Sequence, residues 1–549
     1  MKTRLLLLAF AMTILNAAAQ VERWGMFEVS LSAPLTDENP FDTELKATFN
    51  CNGTSMTVSG FYDGASAKKG EGIWRIRFMP TVEGTWTYVT SSTVASLNDK
   101  KGEFTCTKPS SNNHGPVMVD KSRMNFCYAD GTRYYPIGTT SYDWMHASND
   151  PKFGCFDKGL TIQEQTMKSL KESGFNKVRS LFLVHNFDAS YPEPDIYPFE
   201  RKGDSWDWER LNPRYFDHVE ACTRMLMNAG IEQDLIIFHP YDDGRWGFDL
   251  MPREAGERMC KYIVARLGAF RNVWWSMANE YDFLKAQFNN WDAWTDAVVN
   301  ADSYHHLISI HSGTARYYKY WDERYTHCSI QDQAPVEIAG GGAIVRNIYK
   351  KPVIFDEVCY EGDMTDRWGN LSGQEELYRM WTALMCGTYA SHAECFQFGN
   401  PHDFSRDFLA VGGKWQGESW KRIKFMRSIL DEMPSPLYLP DSSWDIHTSA
   451  CGKGWYMVYL GHEIIDEWTF ELPMRNVGMI PRLKEGQKFT VEIIDTWNMT
   501  ITKCPQTFVT KIKDRYRVTD INGGKVSLPK LPYLLLRIKM CSENNRCRS

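Results

Sequence analysis

The sequence has no surplus of positive charge, no long apolar run after its start, and no motif for zinc or phosphate. Its 62 Lys and Arg against 68 Asp and Glu leave a formal charge of −6, which argues against a nucleic-acid-binding protein. None of the 14 Cys forms a C-x-x-C pair or a Cys/His cluster with zinc spacing. No later apolar run is long enough for a membrane span. No internal repeat of solenoid length occurs.

What the chain does have in abundance is apolar and aromatic residues. Hydrophobic residues make up 43% of the sequence, so the chain can bury large cores and is not disordered. Aromatic residues reach 14%, with 20 Trp among them. Rings of this kind stack on sugars as well as filling cores, so the composition gives weak support to carbohydrate handling.

The chain begins with the pattern of a bacterial secretory signal peptide. Lys2 and Arg4 precede a short apolar run at 5–15, and the alanines at 17–19 supply an A-x-A cleavage site. We therefore expect residues 1–19 to be removed and the mature protein to be secreted or periplasmic.

Three regions follow the predicted signal peptide. Residues 20–109 contain short runs of β-forming residues broken by Gly, Asn and Pro, a pattern typical of a β-sandwich. The polar stretch "KPSSNNHGP" then predicts a linker. Short apolar strands alternate with helical stretches over residues 115–434, and strands dominate again over residues 436–540, where we expect a second β-sandwich.

The middle region holds eight candidate strands with amphipathic stretches between several of them. These stretches include Thr161–Ser173, Pro213–Ala229 and Gly373–Cys386. Eight strands in about 300 residues predict a (β/α)8 TIM barrel. A doubly wound open sheet is the alternative, but no Gly-rich phosphate loop follows the first strand. The strands are "YYPIGTTSY", "FNKVRSLFLV", "QDLIIFHPYDD", "NVWWSMANEYD", "HLISIHSG", "HCSIQDQ", "KPVIFDEVCYEG" and "SHAECFQFG".

Two glutamates stand out at the strand ends, where such barrels place their chemistry. Glu280 has the parity of the small residue Ala278, and Glu357 has that of Phe355, so both are predicted to face the barrel mouth. Glycosidic cleavage needs one carboxylic acid to protonate the leaving oxygen and one carboxylate as base or nucleophile. Burial and mutual repulsion separate the pKa values of such a pair.

Two neighbours of these glutamates have the opposite parity. Asp356 is accordingly predicted to be structural. A functional role for Asn279 requires a bulge or twist at the end of its strand.

The segments around the two glutamates resemble the clan A retaining glycoside hydrolases. "WWSMANEYD" and "KPVIFDEVCYEG" match the clan's Asn-Glu after strand four and Glu after strand seven. The resemblance implies that Glu280 is the acid/base and Glu357 the nucleophile. "NKVR", which contains Arg179, also matches. "YYPIGTTSYDW" and "WQGESWKRIKFMRSILDEMP" resemble the apiosidase-like barrels of Bacteroidetes, and the front region resembles an uncharacterised β-sandwich fused before them.

The resemblance and the strand ends together suggest a substrate-binding set. Arg179 can hold the nucleophile ionised, and Asn279 can bind the sugar 2-OH. His239 and His311 can line the subsite, and Asp242 can bind sugar hydroxyls or cap a helix. Apolar platforms for sugar faces can come from Tyr142, Trp144, Trp246 and Trp368.

The sequence therefore predicts an exported retaining glycoside hydrolase acting on a plant-type or other complex carbohydrate. No cofactor or metal is expected. The alternative is a non-catalytic carbohydrate-binding protein on the same scaffold, against which the presence of Asn279 and both glutamates argues. Neither the sugar nor the linkage can be predicted, because one clan serves many substrates.

Overall fold

The computed structural model describes most of the chain, which divides into two units after Asn113. The predicted signal peptide, apart from Ala19, lies outside the described residues. These are residues 19–186, 191–242, 244–287, 289–313, 317–400, 403–404, 406–434, 437–438, 448–451, 454–474 and 482–541.

The described part of the N-terminal unit is built on seven β-strands, as its β-rich sequence predicts. Alternate residues of Leu45–Cys51 are buried, and Phe49 from this strand stacks on Phe78 with ring centroids 3.9 Å apart. This aromatic contact lies in the core of the unit. The strands are Gln20–Glu22, Phe27–Pro34, Leu45–Cys51, Thr54–Ala65, Glu71–Phe78, Gly84–Ser92 and Lys101–Thr107, with a 3-10 turn at Pro40–Asp42.

The second unit contains the predicted barrel, and all eight predicted strands are present. Seven neighbouring pairs form parallel ladders, and a parallel bridge between His311 and Ser329 joins the remaining pair, so the barrel is closed. The strands are β1 (Gly138–Thr140), β2 (Lys177–Leu181), β3 (Glu232–Phe238), β4 (Val273–Ala278), β5 (Ile308–Ser309), β6 (Cys328–Gln331), β7 (Val353–Glu357) and β8 (Tyr389–His392).

Helices surround the strands, and their caps follow from the sequence. Thr161 and Glu164 form a reciprocal capping box at the start of α1, and Gly174 ends that helix in the left-handed region. No α-helix connects β5 to β6 in the part of that connection that the structure describes. The helices are α1 (Ile162–Ser173), α2 (Pro213–Asn228), α3 (Arg253–Leu267), α4 (Trp291–Ala301), α5 (Pro335–Tyr349), α6 (Gly373–Met385), α7 (Phe408–Val411) and α8 (Ser419–Asp431).

Small elements decorate the barrel. Phe126 lies between Trp274 and Tyr389, with ring centroids 5.4 and 5.7 Å away, and so packs against the barrel strands. The small strands are Val117–Val119, Phe126–Tyr128, Arg133–Tyr134, Phe199–Lys202, Ser205–Leu211, Glu361–Gly362 and Glu394–Cys395. Short 3-10 turns lie at Pro151–Phe153, Phe248–Leu250, Lys285–Gln287 and Arg367–Gly369.

The C-terminal β-sheet region belongs to the same unit as the barrel. Arg422 on α8 donates a hydrogen bond to the carbonyl of Trp497 at 3.0 Å, and His462 lies 3.1 Å from Glu375 on α6. These contacts attach the sheet to the helices that follow β7 and β8. Its strands are Leu437–Tyr438, Thr448–Cys451, Trp455–Tyr459, Glu467–Thr469, Glu471–Pro473, Lys488–Asp495, Thr500–Ile512, Arg517–Asp520, Lys525–Ser527 and Leu534–Met540.

Among the described helices, none combines the length and apolar character needed to cross a bilayer.

Candidate active site

A cavity of about 350 Å³ contains both predicted catalytic glutamates. It lies where the barrel strands end at their carboxyl edge, since Glu357 closes β7 and Glu280 follows β4. Its walls are formed by Tyr142, His185, Tyr241, Glu280, Gln331, Gln333, Glu357, Cys359, Tyr360, Trp368, Phe404, Leu409 and Ala410.

A register shift between β6 and β7 places Glu357 in this cavity. Ile330 pairs with Phe355, but the next residue, Gln331, pairs with Glu357, so Asp356 is an extra residue on β7. The predicted shared face of Glu357 and Phe355 was therefore wrong, although Glu357 does line the cavity. Phe355 faces α5 instead, because a side chain on Gly342 of that helix would lie 2.6 Å from its ring.

A backbone twist at the end of β4 brings Asn279 and Glu280 to the same side. Glu280 has φ of +43°, a left-handed conformation that is uncommon for a residue with a side chain. The end of β4 therefore has the twist that a functional role for Asn279 requires. Glu280 lines the cavity, while Asn279 lies fully buried behind it.

Asn279 connects the two glutamates through two tyrosines. Its side-chain amide donates to the hydroxyl of Tyr142 at 3.2 Å and to that of Tyr241 at 2.5 Å. Tyr142 then donates to Glu357 at 2.6 Å, and Tyr241 donates to Glu280 at 2.6 Å. The amide oxygen accepts a hydrogen bond from Arg179 at 2.6 Å, which fixes the orientation of the amide.

Gln331 forms a second, direct link between the glutamates. Its amide nitrogen donates to Glu280 at 3.2 Å and makes a shorter hydrogen bond to Glu357. Because one nitrogen serves both, the nearest oxygens of the two carboxyl groups lie no more than about 6 Å apart, two hydrogen-bond lengths.

The environment favours an ionised Glu357. Burial alone would raise the pKa of Glu357, but His311, Arg179 and hydrogen bonds from Tyr142 and Gln331 outweigh it, so the pKa is lowered. Burial and Arg179 lower the pKa of His311 to about 4, so this histidine is neutral at pH 7. The permanent charge beside Glu357 is therefore that of Arg179, whose Nη1 lies 3.6 Å from its carboxylate.

Glu280 has the opposite shift. Burial and the charge of Glu357 raise the pKa of Glu280 to about 7. A substantial fraction of this side chain is therefore protonated at neutral pH, as a general acid requires.

Asp356 belongs to the barrel interior. Its carboxylate pairs with Lys177 at 2.7 Å and accepts a hydrogen bond from Ser391 at 2.9 Å. Lys177 and Arg179 lower the pKa of Asp356 despite its burial. These contacts hold the end of β7 in the barrel interior, which agrees with a structural role for Asp356.

Of the nine residues in the predicted binding set, only Tyr142 and Trp368 line the cavity in the described part of the chain. Arg179, Asn279 and His311 contact the glutamates or their tyrosine partners from outside the wall, and the other four lie elsewhere.

His239 donates to the Leu183 carbonyl at 3.2 Å and stacks on Tyr241, so it supports that tyrosine from behind. Trp144 is fully buried in the core. Asp242 accepts hydrogen bonds from the backbone of Trp246 and Phe248, which shapes the loop after β3.

Trp246 packs beside a separate recess of about 110 Å³, where its indole donates to Glu193 at 2.9 Å. The structure thus brings Tyr142, Arg179, Asn279, Glu280, His311 and Glu357 together and leaves His239, Trp144, Asp242 and Trp246 in supporting or separate positions.

Several cavity residues were not selected from the sequence. Gln331 and Tyr241 lie near the ends of predicted strands and His185 directly follows one, so strand-end position was a usable signal for them. Trp368 was selected as a candidate platform and does line the cavity, whereas Tyr360 and Phe404, from the connections after β7 and β8, were not selected. A connection's path depends on its packing, so no periodic pattern reveals such residues.

Outside the cavity, Glu361, Glu376 and His392 place ligand-type atoms within 4.8 Å of one another among the described residues. Their atoms are already engaged, since Glu361 accepts from the backbone of Glu418 and Ser419 at the start of α8. We assign no metal to this cluster.

A closed (β/α)8 barrel with two carboxyl groups of opposite pKa shift at its mouth is the arrangement expected of a glycoside hydrolase. The family model "Apiosidase-like, catalytic domain" matches residues 120–416. The chain belongs to this apiosidase-like family. Two models of domains of unknown function, DUF5060 and DUF5605, match residues 20–93 and 444–539.

Solved structures agree with this assignment. A candidate glycoside hydrolase from Bacteroides vulgatus ATCC 8482 is 46% identical, with a TM-score of 0.88 over 95% of this chain and 100% of that chain. A family 5 glycoside hydrolase from the same organism is 14% identical, with a TM-score of 0.56 over 78% and 93% of the two chains, and shares the fold. None of the curated proteins matches the chain.

Proposed function

We propose that the enzyme hydrolyses an O-glycosidic bond of a complex carbohydrate with retention of anomeric configuration. The opposite pKa shifts of Glu280 and Glu357 support glycosidic cleavage by either mechanism, because both mechanisms need one protonated acid and one ionised carboxylate. The close approach of the two carboxyl groups, which share the amide nitrogen of Gln331, carries the proposal of retention. The alternative of a non-catalytic binding protein has no comparable support, since binding alone does not require such a pair.

In the first step, the ionised Glu357 attacks the anomeric carbon while Glu280 donates its proton to the departing oxygen. A covalent glycosyl-enzyme forms. Glu280, now a carboxylate, then takes a proton from water, which attacks the same carbon and releases the sugar. Because each step inverts the configuration, the product retains it. Arg179 orients Asn279, and Asn279 orients the two tyrosines that hold the carboxyl groups.

The bridge through Gln331 supports retention over inversion. An inverting enzyme keeps its carboxyl groups about 6.5–9.5 Å apart to admit a water, whereas a retaining enzyme uses about 5–5.5 Å. The bound of about 6 Å between the nearest oxygens favours the shorter class.

Proton NMR of the released sugar tests the proposed mechanism. With 4-nitrophenyl glycosides of known configuration, the first product should have the anomeric configuration of the substrate before mutarotation. First appearance of the opposite anomer would contradict double displacement.

We expect kcat/KM to depend on pH as a bell-shaped curve. Activity should fall as pH rises through about 7, because Glu280 then loses the proton it must donate. It should also fall at acidic pH, below the usual range of a glutamate, where Glu357 becomes protonated. The pair titrates as a unit, so the two limbs report apparent pKa values.

A 2,4-dinitrophenyl glycoside provides the control for this profile, because its leaving group needs little protonation. The fall near pH 7 should weaken with that substrate. An identical alkaline limb for both leaving groups would argue against Glu280 as the acid.

We further propose that the enzyme is exported after cleavage near Ala19. Lys2, Arg4 and the apolar run that follows them support this. Mass spectrometry of the native protein should find a mature N-terminus at or near Gln20, and an intact Met1 would contradict export with cleavage.

A further inference from the structure

Buried residues close the floor of the catalytic cavity. Arg179, Asn279 and His311 are fully buried, and each contacts Glu357 or the tyrosines that bind the two glutamates. The sugar that Glu357 attacks must lie close to this floor, because Glu357 has to reach its anomeric carbon while Glu280 reaches its leaving oxygen. The part of the substrate that departs therefore extends outward, toward the mouth of the cavity.

Two glutamines at the end of β6 line the cavity at different depths. Gln331 is only 8% exposed, and its amide nitrogen donates to both glutamates. Gln333 follows two residues later and is exposed to solvent, although it lines the same cavity. Gln333 therefore lies closer to the mouth than Gln331 does.

The backbone on both sides of Gln333 is anchored. The amide of Asp332 donates to the Glu357 carbonyl at 2.9 Å, and the amide of Ala334 donates to the Asp332 side chain at 3.2 Å. The carbonyl of Gln333 itself accepts a hydrogen bond from Arg379 at 3.2 Å. The position of Gln333 in the wall is thus fixed before substrate binds, as a recognition residue requires.

The side chain of Gln333 is available to a ligand. Tyr142, Tyr241 and Gln331 already donate to the glutamates, whereas the side-chain amide of Gln333 has no hydrogen-bond partner within the described part of the chain. A carboxamide both donates and accepts hydrogen bonds, and a sugar hydroxyl does the same. Because Gln333 is exposed and lines the cavity, a substrate hydroxyl at the mouth can reach this amide.

We propose that Gln333 is a specificity-determining residue whose side-chain amide forms a hydrogen bond with a hydroxyl group of the departing sugar. The group that leaves is accordingly a hydroxyl-bearing sugar held at the mouth of the cavity. This inference rests on the proposed function, because a departing sugar exists only if the enzyme cleaves a glycosidic bond.

An acceptor sugar that attacks the glycosyl-enzyme tests this contact, since it occupies the position of the departing sugar in the reverse of the first step. In that reaction the acceptor oxygen bonds to the anomeric carbon, and the ester bond to Glu357 breaks. The hydroxyl proton of the acceptor passes to Glu280.

The experiment measures reactivation of a trapped glycosyl-enzyme. The 2,4-dinitrophenyl 2-fluoro glycoside of the sugar that wild type releases fastest should convert wild type and Gln333→Ala to an adduct on Glu357. After the excess reagent is removed, the return of activity is followed in buffer and with the methyl glycosides of glucose, galactose, xylose and arabinose as acceptors. In buffer the two enzymes should reactivate at rates within about threefold. With the best acceptor, the second-order rate constant should be about 10-fold lower in Gln333→Ala, the loss expected for one hydrogen bond.

Gln506→Ala is the matched control, because Gln506 is an exposed glutamine on the strand Thr500–Ile512 of the C-terminal sheet. It should respond to the acceptors as wild type does. Equal acceleration of wild type and Gln333→Ala would overturn the inference, and so would the absence of acceleration of wild type by all four acceptors. A loss of the same size in buffer and with acceptor would place the effect of Gln333 on the retained sugar or on the fold, which also overturns it.

Failure of this inference is distinguishable from failure of the proposed function. If wild type forms no adduct on Glu357, double displacement is contradicted, and the inference about Gln333 is overturned with it. If the adduct forms and acceptors reactivate both enzymes equally, the role of Gln333 alone is overturned.

Discussion

Glu357→Gln should lower kcat by about four orders of magnitude or more, because it removes the atom that forms the covalent intermediate. The amide is nearly the same size as the carboxylate and can keep a hydrogen bond from Tyr142 or Gln331, so the fold should survive. Steady-state kinetics and a thermal melt measured on the same preparation separate lost chemistry from lost folding. Glu323→Gln is a suitable control, because that side chain is 82% exposed.

A mechanism-based label should identify the same residue in the wild type. A 2-fluoro glycoside of the sugar the enzyme cleaves should form a stable adduct, and peptide mass spectrometry should place it on Glu357. An adduct on Asp356 or Glu361 would show that another carboxylate is the nucleophile. Loss of activity in Glu357→Gln together with a lowered melting temperature would instead point to a structural role.

Glu280→Ala should produce losses that depend on the leaving group. With a 2,4-dinitrophenyl glycoside, the first step needs no proton and should stay fast, whereas poor leaving groups should react slowly. The second step lacks its base with every substrate, so the glycosyl-enzyme on Glu357 should accumulate and release of dinitrophenol should show a burst.

Azide should restore turnover of the good substrate by Glu280→Ala. A small anion can occupy the space left by the side chain and attack the intermediate without losing a proton. The product should be a glycosyl azide with the configuration of the substrate, because two inversions occur. A glycosyl azide of inverted configuration would indicate a single displacement, and equal losses for all leaving groups without rescue would indicate a structural role for Glu280.

The sequence was sufficient for the barrel because its strands and helices carry local signals. Several of the eight strands, β3, β4 and β7 among them, contain a short apolar run, and the capping box at Thr161 and Glu164 marks α1. The two glutamates were found because strand ends and a family resemblance coincide at them. Both signals come from residues that are close together in the sequence, so they can be recognised without a structure.

What the sequence could not provide depends on backbone irregularity and distant contacts. Simple alternation cannot predict the extra residue at Asp356 or the left-handed Glu280, so it assigned Phe355 to the wrong face. The indole of Trp144 is of the kind that forms sugar platforms, but Trp144 is buried in the core. Burial depends on tertiary packing, which the sequence does not show. Tyr360 and Phe404 reach the cavity through connections whose path is set by packing.

The shared amide of Gln331 also constrains how this enzyme can evolve. Since one side chain contacts both carboxyl groups, a substitution there perturbs the acid and the nucleophile simultaneously. A substitution at Gln331 could not shift the acidic side of the pH profile without also shifting the alkaline side. Compensating changes would have to appear near both glutamates together. Its substitutions should accordingly be strongly epistatic with changes at Tyr142 and Tyr241, which hold the same two groups from the other side.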